Sequence, residues 1–209
     1  CIRDRSWGSV RAPLLVVRDG TDVRCGALHM GSNAEEKGTL LVESGSLTAD
    51  GEFWLQNAAL TVTGGELTLA GDASIDRGEV HISGGTVSFE HGLWLGEGDI
   101  VITGGTVIGE LGTYTYSGGL NPIDDAAKAA IEVTGGTFKE NPTKYVAENS
   151  AITKNSDGTF GVAKTYLAKV GETSYYTMDE AFHAAVASGE TLYLLRDYTT
   201  GAEQNSGSK

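Results

Sequence analysis

Residues able to contact a ligand recur in one short phrase, read as Glu52-Phe53-Trp54-Leu55-Gln56, Asp72-Ala73-Ser74-Ile75-Asp76 and Gly92-Leu93-Trp94-Leu95. Alternation of period two places Phe53/Leu55, Ala73/Ile75 and Leu93/Leu95 on one face of a strand, so Trp54, Ser74 and Trp94 point to the other. Tyr114 extends the same series, and Glu52, Gln56, Asp72, Asp76 and Tyr116 flank it. An exposed indole beside hydrogen-bonding side chains suits a sugar, whose C–H face covers the ring while its hydroxyls meet the polar groups. The predicted ligand-binding set is therefore Trp54, Trp94, Tyr114, Glu52, Gln56 and Asp72. A one-residue slip of register would instead turn the rings into core, and a covering loop would hide them.

Glu52 and Asp72 fall one repeat apart, which would bring their carboxyls to roughly 5 Å, the separation used by retaining glycosidases. Calcium could bridge the same pair, although two solvated acids is the plainest reading. His91-Gly92 and Asp124-Asp125 are isolated dipeptides and make no polygalacturonase-like signature. Arg77 is the only basic residue nearby that a lyase could use. No catalytic residue, no metal ligand and no cofactor is assigned, with calcium kept as an alternative.

The elements that position these residues follow from a period. The shared glycine of Ser44-Gly45-Ser46, Thr63-Gly64-Gly65, Ser83-Gly84-Gly85 and Thr103-Gly104-Gly105 falls at 45, 65, 85 and 105, in steps of 20, and Thr134-Gly135-Gly136 follows after 31. The apolar columns Leu40/Leu60/Val80/Ile100, Val42/Val62/Ile82/Ile102 and Leu47/Leu67/Val87/Val107 keep the same step. Such a period marks a solenoid, and spacing by twos within each repeat marks strands rather than helices. The glycines supply the positive φ that sharp corners need. The predicted fold is all-β, a right-handed parallel β-helix of about 20 residues per rung followed by a small α+β module, with handedness taken from the general preference of parallel crossovers. Antiparallel hairpins seldom hold one register through four copies, and a leucine-rich repeat would need a helical half that is missing.

The predicted organisation is an N-terminal cap over 1–39, the β-helix over 40–138, a hairpin or linker cap over 139–164, a ββαβ module over 165–199 and a flexible tail over 200–209. An insertion at 118–130 contains Asn121-Pro122 and reads as a loop. Asn155-Ser156-Asp157-Gly158 is a hairpin turn. Thr177-Met178-Asp179-Glu180 is a capping box opening a helix to about Ser188, with Gly189 as its stop and His183 on the polar side. Leu14-Leu15-Val16-Val17-Arg18-Asp19-Gly20-Thr21 is echoed by Leu192-Tyr193-Leu194-Leu195-Arg196-Asp197-Tyr198-Thr199. The echo implies neighbouring tandem modules in a parent array.

With 28 acidic and 15 basic residues the formal charge is −13, which opposes binding to nucleic acid. No apolar run is long enough to span a bilayer, so membrane insertion is not expected. Cys1 and Cys25 are the only cysteines; a bridge between them in an oxidising compartment and two unlinked thiols fit the sequence equally.

Two further phrases carry a resemblance. Ile131-Glu132-Val133-Thr134-Gly135-Gly136-Thr137-Phe138, with Asn141-Pro142-Thr143-Lys144-Tyr145-Val146-Ala147 and Asn155-Ser156-Asp157-Gly158-Thr159-Phe160 after it, resembles a motif of large, repeat-built surface proteins of Gram-positive gut bacteria. Ala168-Lys169-Val170-Gly171, Met178-Asp179-Glu180-Ala181-Phe182 and Leu194-Leu195-Arg196-Asp197 resemble the small module that often follows it there. Residues 40–130 match only the general pectate-lyase-like β-helix pattern. The resemblance implies an extracellular, adhesin-like protein of the cell surface with no catalytic residues to carry over. The expected function is a non-catalytic solenoid with a scaffold or adhesion role, presenting a face to a host or microbial glycan or to a host surface protein. A carbohydrate-active β-helix enzyme, lyase or glycosidase, is the alternative.

Overall fold

The computed structural model describes residues 2–3, 14–31, 37–114 and 129–198. The chain divides into two compact units, one of residues 1–147 with 152–163 and one of 148–151 with 164–209.

The first unit is a parallel β-solenoid. β1 (Ile2–Arg3) belongs to the turn before that of β2 (Leu14–Val17), β3 (Asp22–Cys25) and β4 (Leu28–Gly31), since it pairs in parallel with β4. Next come β5 (Gly38–Val42), β6 (Ser46–Ala49), β7 (Phe53–Gln56), β8 (Ala58–Val62), β9 (Glu66–Leu69) and the long β10 (Ala73–Ile82). β11 (Thr86–Phe89), β12 (Leu93–Ile102), β13 (Thr106–Ile108), β14 (Leu111–Thr113), β15 (Ala129–Val133) and β16 (Gly136–Phe138) complete the stack. Each strand pairs in parallel with its counterpart one turn away: Leu40 lies opposite Leu60, Leu60 opposite Val80 and Val80 opposite Ile100. The expected columns are therefore the observed ones, and they extend outward to Leu15 at one end and Ile131 at the other.

Residues spaced by two along the strands from β4 to β13 point inward, and the buried side chains merge into one apolar core from Val17 to Val162. Phe53, Leu55, Leu60, Leu67, Ile75, Ile82 and Leu93 are fully buried within it. The corner glycines are fixed by two constraints. Gly45, Gly65, Gly85 and Gly105 have φ between 67° and 85°. In addition, a Cβ on Gly85 would sit 2.7 Å from the Gly64 carbonyl of the turn before it. Stacking at the strand spacing leaves no room for a side chain there.

The period is not uniform. Leu93 lies opposite Leu111 and Leu95 opposite Thr113, a step of 18 where the preceding turns take 20. Ile100 then lies opposite Ile131, a step of 31, so the inserted residues fall between β14 and β15; those from 115 to 128 lie outside the described residues. One sheet of the stack ends on a hairpin, β17 (Ser150–Lys154) and β18 (Phe160–Lys164), with β18 antiparallel to β16 and Phe160 opposite Phe138. The turn is the expected one: Asn155 N–H bonds to Thr159 O at 2.8 Å, and Asp157 accepts from the Thr159 hydroxyl at 2.6 Å and N–H at 3.0 Å. These bonds hold the Asp157 carboxyl below its ordinary pKa.

The second unit packs one helix on a three-stranded antiparallel sheet: β19 (Ala168–Val170), β20 (Thr173–Tyr175), α1 (Met178–Ser188) and β21 (Leu192–Leu194), with β19 central. Thr177 caps α1 through its hydroxyl, which accepts from Glu180 N–H at 3.4 Å, and Gly189 ends the helix in the left-handed conformation. His183 is exposed and bonded to the Asp179 carbonyl, as the polar side of the helix requires. Cys25 is a buried free thiol whose sulfur donates to Thr48 O at 3.6 Å, and burial raises its pKa. Cys1 and the tail beyond Tyr198 lie outside the described residues.

Candidate functional site

The outward row of the solenoid runs across β4, β7, β10, β12 and β14. His29 lies opposite Trp54, Trp54 opposite Ser74 and Ser74 opposite Trp94. Trp54 and Trp94 thus share a row two strands apart, about 10 Å at the strand spacing. Trp54 is half-buried, and its ring meets the edge of His29 with centroids 5.9 Å apart. Trp94 is 38% exposed and its indole N–H donates to His91 O at 3.1 Å.

Tyr114 falls elsewhere. The step of 18 puts Gly112, not Tyr114, opposite Trp94. The six-membered ring of Trp94 fills the space above that glycine, where a Cβ would stand 2.3 Å from the ring. Tyr114 continues the ladder one position later, its N–H bonded to Leu95 O at 3.0 Å. Its phenol lies over Gly96, in the line of Gln56 and Asp76. The Trp94 and Tyr114 rings therefore each occupy ground that a glycine on the neighbouring strand leaves vacant. Tyr116 lies outside the described residues.

The flanking polar residues are engaged. Gln56 donates to Asp76 at 3.0 Å. Glu52 meets His29 Nε2 at 2.9 Å, and Asp72 meets His91 Nδ1 at 3.1 Å. Glu52 and Asp72 thus form two carboxylate–imidazole pairs, each with its own histidine, along the rim of the aromatic row. Sequence periodicity missed both histidines because His91 lies in a turn and His29 belongs to the irregular turn of β2 to β4, 25 residues before Trp54. Arg77 is exposed. Among the described residues no group of three His, Cys, Asp or Glu side chains is placed to hold a metal ion, and no helix is long and apolar enough to cross a membrane.

The row ends in a cleft of about 350 Å³ between β14 and the segment after β16. Its walls include Trp94, Glu110, Glu140, Asn141, Lys144 and Tyr145. Among the described residues no strand pairs with the outer edge of β14, and the cleft lies along that edge. Where the next turn would stack, the chain forms a single 3-10 turn, Thr143–Tyr145, and rejoins the solenoid only at the Val133–Val146 bridge. Asn141 fixes that turn by accepting from Thr143 N–H at 3.0 Å, and the Tyr145 hydroxyl donates to Leu111 O at 3.0 Å. Lys144 lies with its ammonium 5.2 Å from the Tyr145 ring centre. The repeat pattern holds no sign of this cleft, since it arises where the repeat stops.

Compared with known protein families, with curated proteins and with solved structures, the chain matches none.

Proposed function

We propose that this chain is a non-catalytic, extracellular surface solenoid with a scaffold and adhesion role, and that its outward aromatic row binds glycan. The observation that carries the reading is Trp94: an indole more than a third exposed, anchored through its N–H, on a row flanked by Glu52, Asp72 and Gln56. A rigid sheet holds the ring without loop ordering, so little conformational entropy is lost when a sugar covers it. The acidic charge of −13 favours neutral partners over polyanions. The engagement of Glu52 and Asp72 by separate histidines supports binding over hydrolysis, because an acid and a nucleophile acting as a pair would face a common substrate atom. The surface location rests on the resemblance of residues 131–199 to repeat-built surface proteins, and the tandem neighbours on the echo of residues 14–21 in 192–199.

A glycan array with the full chain tests the reading, alongside Trp54→Ala and Trp94→Ala. Retention of at least one glycan class is expected, with loss in Trp94→Ala after its unfolding midpoint has been checked. A chain that retains no glycan, or whose retention neither substitution changes, would remove it.

A further inference from the structure

The cleft under β14 differs from the rest of the aromatic row in being concave, and small-molecule sites are concave. From the lining of this cleft and the backbone of β14, we propose that it takes one neutral sugar unit, the anchoring residue of a bound glycan. This deepens the glycan reading and rests on it.

Successive residues of a parallel strand direct their N–H and C=O groups to opposite edges. Glu110 O and Tyr114 N–H are used on β12, bonded to Leu93 N–H and Leu95 O. Leu111 and Thr113 therefore turn their backbone groups toward the cleft, where Leu111 O accepts from Tyr145. A saccharide entering here meets the backbone of Leu111 and Thr113 in a cleft that Glu110, Glu140 and Lys144 also line. Trp94 supplies the apolar wall, its ring held over Gly112. The volume lies at the lower end of the range of about 300–1,000 Å³ found for ligand sites, enough for a single sugar unit. Leu111 and Thr113, with Leu111 O already bonded to Tyr145, offer too few main-chain groups to hold a peptide strand by pairing, which favours a saccharide over a peptide.

Charge selects the sugar class. Two carboxylates against one ammonium leave the cleft acidic, so a uronate or sialate would meet repulsion that a hexose or N-acetylhexosamine escapes. Lys144 and Glu140 are exposed side chains that could be removed without opening the core.

Amide and indole NMR spectra of the full chain, titrated with mannose, galactose, N-acetylglucosamine, galacturonate and N-acetylneuraminate, test the proposal. At least one neutral sugar should shift the Trp94 indole and the Gly112, Thr113 and Lys144 amides together, whereas the two acidic sugars should not. Lys144→Ala and Glu140→Ala should each weaken that binding by about fivefold, the loss of roughly one hydrogen bond. Shifts confined to His29 and Trp54 would overturn the cleft and leave the glycan-binding row standing. Tighter binding of an acidic sugar would overturn the assigned class, and an array-positive chain whose cleft no sugar perturbs would overturn the site.

Discussion

The solenoid and the terminal module solve the same burial problem on different scales. In the solenoid each strand covers the next, so one core runs without interruption from Val17 to Val162. In the module a single helix covers three short strands, and the buried core is Ala168, Val170 and Ala181, with Tyr175, Ala184, Ala185 and Leu192 packed around it. Phe182, Val186, Tyr193 and Leu194 stay more than half exposed. Repetition adds core in proportion to length, whereas a unit this small has little volume for its surface. The module therefore leans on local devices, above all the Thr177 cap and the Gly189 stop at the two ends of α1.

The largest test of this difference removes core from the solenoid alone. Phe53 is fully buried in the long core, so Phe53→Ala should cost about 3–5 kcal/mol. Hydrogen exchange read residue by residue should show that loss in β7, β10 and their neighbours, with the amides of α1 unchanged. Equal loss of protection in α1 would break the claim that the two cores are stabilised separately.

A middle-sized effect compares two glycines of nearly equal φ, Gly85 at +73° and Gly189 at +71°. Nothing lies within 4 Å of a Cβ on Gly189, so Gly189→Ala carries only the left-handed penalty of about 1–2 kcal/mol. At Gly85 the added methyl also meets the Gly64 and Gly65 backbone at 2.7 Å. Gly85→Ala should therefore cost at least about 2 kcal/mol more than Gly189→Ala in its own unit, since neither stacked backbone can withdraw. Equal costs, measured by denaturant midpoints with probes in each unit, would show that the corners are not held by stacking.

What the sequence disclosed follows the same division. Columns at a step of 20 predicted the register of β5 to β12, because in a stacked sheet the period and the hydrogen-bond ladder are one quantity. The reading went astray at Tyr114, where the turn shortens to 18 and Gly112 takes the place opposite Trp94. A pattern extrapolated from earlier turns has no means of registering a shortened one. The cleft and His29 were hidden for a related reason, since they lie where the repeat is broken, whereas His91 sits in the turn between two strands of regular step, where alternation assigns no partner. The echo of Leu14–Thr21 in residues 192–199 adds a further lesson. Leu14–Val17 pairs in parallel with β5, whereas Leu192–Leu194 pairs antiparallel with β19. Val17 is buried while its counterpart Leu195 is half exposed. Nearly the same strand serves both units, and its neighbours decide how it pairs.

The smallest expected effect concerns an ion pair that only the solenoid possesses. Lys37 precedes β5 and reaches Glu79 on β10, two turns on, since Thr39 lies opposite Ala59 and Ala59 opposite Glu79. The hydrogen bond from Lys37, and then its charge, hold the Glu79 carboxyl below its ordinary pKa. A carboxyl lowered on folding stabilises the native state fully above its unfolded pKa and loses that contribution as pH falls through the folded value. Both side chains are about half exposed, so solvent screening should hold the contribution to below ~0.5 kcal/mol. Glu79→Gln should accordingly lower the urea midpoint of the solenoid slightly at neutral pH and low salt, and the gap from the parent chain should close as pH falls through the folded pKa or in molar salt. The midpoint of the module should not move in either condition. A gap that persisted in acid would mean that Glu79 acts through packing rather than charge, and a shift in the module would tie together two regions whose cores are otherwise separate.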